Sequence, residues 1–162
     1  MSQREKVLRW LTESGVRYRL TEHPAVYTID EMIDLGICAQ GTVCKNLFLR
    51  DAKGRRHFLV MLISDKRADL PNIQEQLGCT RLSFASADRL SRFLGLSQGE
   101  VTPLGIINDT DAAVEVVIDR GLVGNPEIGL HPNDNTATVW LSYDDLVMLI
   151  KSRGNAIVFI DL

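Results

Sequence analysis

Two neighbouring runs, TVCKNLFLRD at residues 42–51 and RHFLVMLI at 56–63, are rich in apolar and β-forming residues and are joined by the polar stretch AKGR with Gly54. That pattern predicts a β-hairpin. Its second arm, Phe58 to Ile63, is apolar without alternation. A strand of this kind must be covered on both faces, so it belongs in the middle of a sheet with other layers above and below.

The flanking segments supply those layers. Ser2 with Glu5 makes a capping box ahead of Val7, Leu8 and Leu11, predicting a helix over 3–14 ended by Gly15. Residues 17–21 alternate as a short strand, and after His23-Pro24 the pair Thr28 and Glu31 opens a second short helix toward Gly36. Further helices are expected at 70–78, at 86–95 behind Ser86, and from Ser142 to near Arg153. Strands are expected at 82–84, 105–108, 113–119, 136–141 and 156–160, and the Gly- and Pro-containing SQGEVTPLG at 97–105 reads as a shaped loop. Strands and helices in mixed order, with no linker or repeat, predict one α+β domain over residues 1–162, built on a mixed, largely antiparallel sheet.

The chain has 162 residues, enough to bury a core without disulfides, and its mean hydropathy of +0.00 with 24% charged residues is that of a globular protein. No run approaches a membrane span, and the charged start MSQREKVLRW has no apolar leader region, so the expected location is the cytoplasm. Cys38, Cys44 and Cys79 form an odd set without a CxxC pair, which predicts free thiols. A formal charge of −3 argues against a protein that coats nucleic acid, and no DNA partner is expected. The charge is nevertheless uneven. Residues 45–67 carry seven basic side chains against two acidic ones, whereas residues 100–162 carry three against ten. The basic segment suits either a small contact with phosphates or a solvated hairpin tip.

Phosphate-loop, dinucleotide, zinc-protease and nucleophile-elbow motifs are missing, and His23, His57 and His131 are too scattered for a metal site. No metal or cofactor is therefore expected. Lys45 is the most informative residue. The strand period of two places Val43, Lys45, Leu47 and Leu49 on one face, so an ammonium interrupts an apolar row and must either snorkel from an edge or point into a cleft. Asn46 faces the opposite way. His131 before Pro132 is held out of helical conformation, aimed at a pocket or at solvent. Gly99 and Gly105 allow either a close backbone approach to a ligand, with N–H donors, or a plain tight turn.

Taken jointly, the helix and strand before HPAVYT, the lysine in TVCKNLFLR, the Gly-x-x-x-Pro loop from Gly99 to Pro103 and the segment GLHPNDNTATVWLS resemble the YbaK/ProX family. These are freestanding relatives of the editing domain inserted in bacterial prolyl-tRNA synthetases. The HPAVYT and HPNDNTAT segments point to the ProX-type branch. The resemblance implies a barrel-like sheet and metal-free hydrolysis of mischarged Ala-tRNA(Pro), in which water attacks the ester with help from the substrate's own 2′-hydroxyl. It implies catalytic roles for Lys45, Asn46 and His131, with His23, Tyr27, Thr28, Gly99, Val101, Thr102, Pro103 and Gly105 at the substrate. The implied partners are the acceptor end of tRNA(Pro) and prolyl-tRNA synthetase. Two alternatives stay open: a module that binds aminoacyl-tRNA or a synthetase without turnover, and a deacylase for Ser- or Cys-tRNA.

Overall fold

A computed structural model describes residues 1–162. Chain order is α1 (Gln3–Glu13), β1 (Arg19–Glu22), α2 (Ile29–Asp34), β2 (Thr42–Arg50), β3 (His57–Ile63), α3 (Leu70–Leu77), β4 (Ser83–Phe84), α4 (Ala87–Leu94), β5 (Val114–Asp119), β6 (Ile128–Leu130), β7 (Ala137–Leu141), α5 (Tyr143–Arg153) and β8 (Ile157–Ile160). The strands form a mixed sheet in the order β1-β7-β6-β2-β3-β5-β8, with β4 on β2. Four of its pairings are antiparallel and three, β2 with β6, β3 with β5 and β5 with β8, are parallel. The hydrogen-bonded path is open, with β1 and β8 at its two ends. No helix is long and apolar enough to cross a membrane.

The unbroken apolar run of β3 has the expected cause. Leu59 and Met61 enter a large core under α1, α4 and α5, whereas Phe58, Val60 and Leu62 enter a second core with Ile73 of α3. Phe58 through Leu62 are completely buried. The helix ends follow their caps: Ser2 and Glu5 exchange both capping-box bonds, Thr28, Ser86 and Ser142 each accept from the third residue on, and Gly78, Gly95 and Gly154 close helices with positive φ.

One expectation fails, and one strand lies outside those expected. Residues 105–108 are not a strand: Pro103–Asn108 winds as a 3-10 helix, with Thr102 as its cap accepting from Leu104 N and Pro103 in its first turn. Strand β6 had no forecast, because three residues containing Gly129 carry little β signal of their own; β2 and β7 recruit them. Much of the basic excess of 45–67 is also committed internally. Arg56 makes a two-pronged pair with Glu115, Arg50 donates to the Asp51 and Ala52 carbonyls, and Lys66 pairs with Asp119. Lys53, Arg55 and Arg67 are exposed.

A third, smaller core sets the wall beside the functional region. Trp140 packs there with Val26, Met32, Ile37 and Val43, joining α2 and its flanks to β2 and β7. The ring packs against two glycines: a Cβ at Gly129 would stand 2.6 Å from it, and one at Gly41 2.7 Å. Overpacking of this kind costs about 1–3 kcal/mol. Gly129→Ala is accordingly expected to lower unfolding free energy by about that amount in urea titrations. An unchanged midpoint would show that the indole is free to shift.

Candidate functional site

Strand β2 is bonded along one edge to β3 from Cys44 to Arg50. Its other edge meets β6 only at Thr42 and Val43, and β4 only at Leu49 and Arg50. Along that edge residues 44–48 pair with no strand, and Phe48 O accepts instead from Ala85 N. A pocket of about 290 Å³ opens at this gap, lined by Cys44, Lys45, Asn46 and Leu47, by Val26 to Ile29 and Met32, by Gly99 and Val101, and by His131. Because the pocket lies along the strand's edge, it receives side chains from both faces of β2. Lys45 and Asn46 therefore share it although the pairing with β3 runs through them without a bulge.

Lys45 is half-buried, and its ammonium donates to the Lys66 carbonyl at 2.7 Å. It points into the cleft side of the two alternatives the sequence left open. An ammonium has three donors, so this bond leaves others for a ligand. Asn46 Oδ1 is buried and accepts no hydrogen bond within the protein. An unpaired buried acceptor is costly, and pockets that bind polar groups are where such atoms persist.

His131 follows β6 directly. Its Nδ1 lies 3.1 Å from the Ala137 carbonyl, which can only accept, so Nδ1 carries the proton and Nε2 is left as an acceptor. Burial, and next the nearby His23, push its pKa below the ordinary histidine range, against the opposing pulls of the Ala137 bond and Asp134. The neutral ring is the form that the fold favours. His23 does not line the pocket. Its ring sits 6.3 Å from His131, and its Nδ1 and Nε2 contact the Pro24 carbonyl and Thr138 Oγ1, each at 2.9 Å. By the same reasoning Nδ1 donates to the carbonyl. A side chamber of about 20 Å³, lined in part by Asn46, His131 and Thr138, adjoins the main pocket. That is room for about one water molecule.

The loop expected at Gly99 to Pro103 is divided in its placement. Gly99 and Val101 line the pocket. Thr102, Pro103 and Gly105 do not: they are buried as the cap and body of the 3-10 helix, and the Gly105 N–H is already used on the Thr102 carbonyl. Gly105 lacks a side chain because Leu96 and Leu94 press against it. Gly99 has φ +84, and a Cβ there would come within 2.6 Å of Tyr27, so the glycine seats the tyrosine at the mouth. Thr28 caps α2 at the same rim. The apolar wall of Val26, Ile29, Met32 and Leu47 was not singled out from sequence. Ile29 and Met32 lie three apart on α2, a helical spacing that marks a shared face without saying what it faces.

Cys44 lines the pocket, but burial, reinforced by Asp119, pushes its thiol up to about 12, so it supplies no thiolate at neutral pH. All three cysteines are free. No group of three His, Cys, Asp or Glu side chains is gathered closely enough to hold a metal ion. What converges is one ammonium, two neutral acceptors and a glycine-bearing loop on an otherwise apolar wall.

Comparison with known proteins places this arrangement. Residues 23–149 match the family model described as the aminoacyl-tRNA editing domain. The chain is 48% identical to the prolyl-tRNA editing protein ProX of Acetoanaerobium sticklandii, over 100% of this chain and 99% of that one. It is 34% identical to the prolyl-tRNA synthetase associated domain-containing protein 1 of Danio rerio, over 97% of this chain and 86% of the relative. A crystal structure described as a candidate trans-editing enzyme for prolyl tRNA synthetase shares the fold, with TM-score 0.75 and 22% identity over 98% of this chain and 96% of that one. The family match runs through every pocket-forming segment, from the turn before α2 to His131, and the chain belongs to the aminoacyl-tRNA editing domain family.

Proposed function

We propose that this chain is a trans-editing deacylase that hydrolyses the aminoacyl ester of mischarged Ala-tRNA(Pro), taking up the acceptor end of the tRNA. The observation that carries this reading is the convergence of Lys45, Asn46 and His131 on one small pocket with apolar walls. The relative named as a prolyl-tRNA editing protein supports the tRNA, and the relative named for association with prolyl-tRNA synthetase supports that enzyme as a partner.

Ester hydrolysis needs a water oxygen aimed at the carbonyl carbon, a place for charge on the carbonyl oxygen, and a proton for the departing ribose hydroxyl. Lys45 anchors the terminal phosphate or the aminoacyl group through the N–H bonds not spent on Lys66. Gly99 brings backbone close to the ester. Asn46 Oδ1 and His131 Nε2 are acceptors, suited to orient the water and the substrate's 2′-hydroxyl, through which the proton released by the attacking water passes to the departing ribose oxygen as the ester C–O bond breaks. The side chains supply positioning and electrostatics rather than a covalent nucleophile. The apolar wall of Val26, Ile29 and Met32 acts as the size sieve, admitting alanine and excluding proline, a discrimination that a synthetase pocket built for proline achieves poorly alone.

The test is a deacylation time course with Ala-, Pro-, Ser- and Cys-tRNA(Pro) in the presence of EDTA. Selective loss of the alanyl ester is expected. Survival of all four with tight, salt-sensitive tRNA binding would establish a binding module instead, and preference for the seryl or cysteinyl ester would reassign the substrate. Lys45→Ala should lower the rate roughly 100-fold, the scale of removing one transition-state donor, with the melting temperature preserved. Full activity in that variant removes Lys45 from the mechanism.

Two further outcomes follow from the pocket. Gly99→Ala forces a side chain onto positive φ and into Tyr27, so kcat/KM should fall about tenfold or more. A wild-type rate would show that the mouth tolerates displacement. Because burial holds the His131 ring neutral, with its pKa below the ordinary histidine value, activity normalised to spontaneous hydrolysis should be flat at neutral and higher pH and fall as the pH drops through the lowered value. The fold's stability loses its His131 contribution in the same direction, since the unfolded chain takes up the proton first. An identical acid limb in His131→Gln would assign the pH dependence to another group.

A further inference from the structure

We infer that Lys66, held by Asp119, is a positioning residue for Lys45, an assignment that rests on the deacylase reading for its effect on rate but not for its geometry. The Lys66 carbonyl that receives the Lys45 ammonium lies in the turn after β3. That turn is closed by Lys66 N donating to Ile63 O at 3.0 Å, and tied to β2 by Ser64 N donating to Val43 O at 3.1 Å.

From beneath, the turn is gripped by one carboxylate. Asp119, fully buried at the end of β5, accepts from Ile63 N at 3.3 Å, from Gly121 N at 2.9 Å and from Lys66 Nζ at 2.9 Å. Lys66 Nζ also donates to the main-chain oxygen of Leu162 at 3.2 Å. Gly121 keeps the space open, since a Cβ there would lie 3.0 Å from Lys66 Nζ and 2.8 Å from Ile63. A buried carboxylate without its cation is strongly disfavoured, so the pair holds the Lys66 side chain and, through it, the orientation of the Lys66 peptide. Lys45 has four flexible methylenes, and the carbonyl it finds there selects where its charge sits in the pocket. A line of contacts thus runs from β5 through Lys66 to the pocket ammonium, without Asp119 or Lys66 lining the pocket.

The experiment uses the full chain carrying Lys66→Met, Lys66→Arg or Asp119→Asn, each checked for folding by circular dichroism and thermal unfolding. Trace acetylation with an amine-reactive ester, read at Lys45 by mass spectrometry, reports the tie directly. Labelling of Lys45 should rise about threefold or more in Lys66→Met and stay near wild type in Lys66→Arg, which keeps a cation for Asp119. In deacylation of Ala-tRNA(Pro), Lys66→Met should lower kcat/KM about tenfold, Lys66→Arg should restore most of it, and Lys66→Met added to Lys45→Ala should change the residual rate less than about twofold.

Unchanged Lys45 labelling in a folded Lys66→Met variant overturns the inference, as does an equal loss of rate with and without Lys45. Should Asp119→Asn fail to fold, the Lys66 pair of variants still decides. If the wild-type chain deacylates nothing, it is the functional reading that fails, and the labelling comparison alone stands for or against the tie.

Discussion

The interrupted edge of β2 is the constraint on which the rest of the site depends. A buried strand must satisfy its backbone and pack its side chains, and β2 does this along one edge through an uninterrupted ladder to β3. On the other edge two very short strands, β6 and β4, take its ends and leave residues 44–48 between them. The gap cannot be closed by sliding. β3 is locked by Leu59 and Met61 on one face and by Phe58, Val60 and Leu62 on the other, and a shift of one residue would exchange the two sets. A rigid hairpin therefore presents Lys45 and Asn46 at a fixed opening, and α2, the Gly99 loop and His131 wall it in.

The chemistry that gathers there is sparse in charge. The thiol of Cys44 is suppressed by burial, and His131 is kept neutral with its Nδ1 proton committed to Ala137. One ammonium remains, and the fold restrains it through Lys66. Under the proposed function, such a site lowers a barrier by holding reactants and dipoles in place, which demands rigidity more than it demands a reactive side chain. The packing supports that demand: Trp140 lies against Gly41 and Gly129 in the core that carries α2, and Tyr27 lies against Gly99 at the mouth.

Much of this was legible beforehand because it is local. The capping box of α1, the hydroxyl caps, the glycine stops, the hairpin and the double-sided burial of β3 each follow from residues within one element. Lys45 stood out because a charge in an apolar row violates the period of its strand. Thr102, Pro103 and Gly105 share with Gly99 the glycine- and proline-bearing pattern of one ligand loop. Yet a threonine cap followed by proline also starts a 3-10 turn, and only the pressure of Leu94 and Leu96 on Gly105 decides which reading holds. The apolar wall from Val26 to Met32 was hidden for the converse reason, since apolar residues at helical spacing look the same whether they face a core or a cavity.

The sequence by itself determined the α+β class, the five α-helices, the central strand and the identity of the odd lysine, because these rest on period, capping and backbone freedom within a few consecutive residues. It also carried the family resemblance, through the order of motifs spread from HPAVYT to HPNDNTAT. Tertiary structure alone decided that β6 is a strand, that β2 has an open edge, that Asn46 shares a pocket with Lys45, and that Lys66 and Asp119 stand behind them. Those outcomes join residues tens of positions apart, and their energies come from long-range pairing and burial that no local pattern encodes.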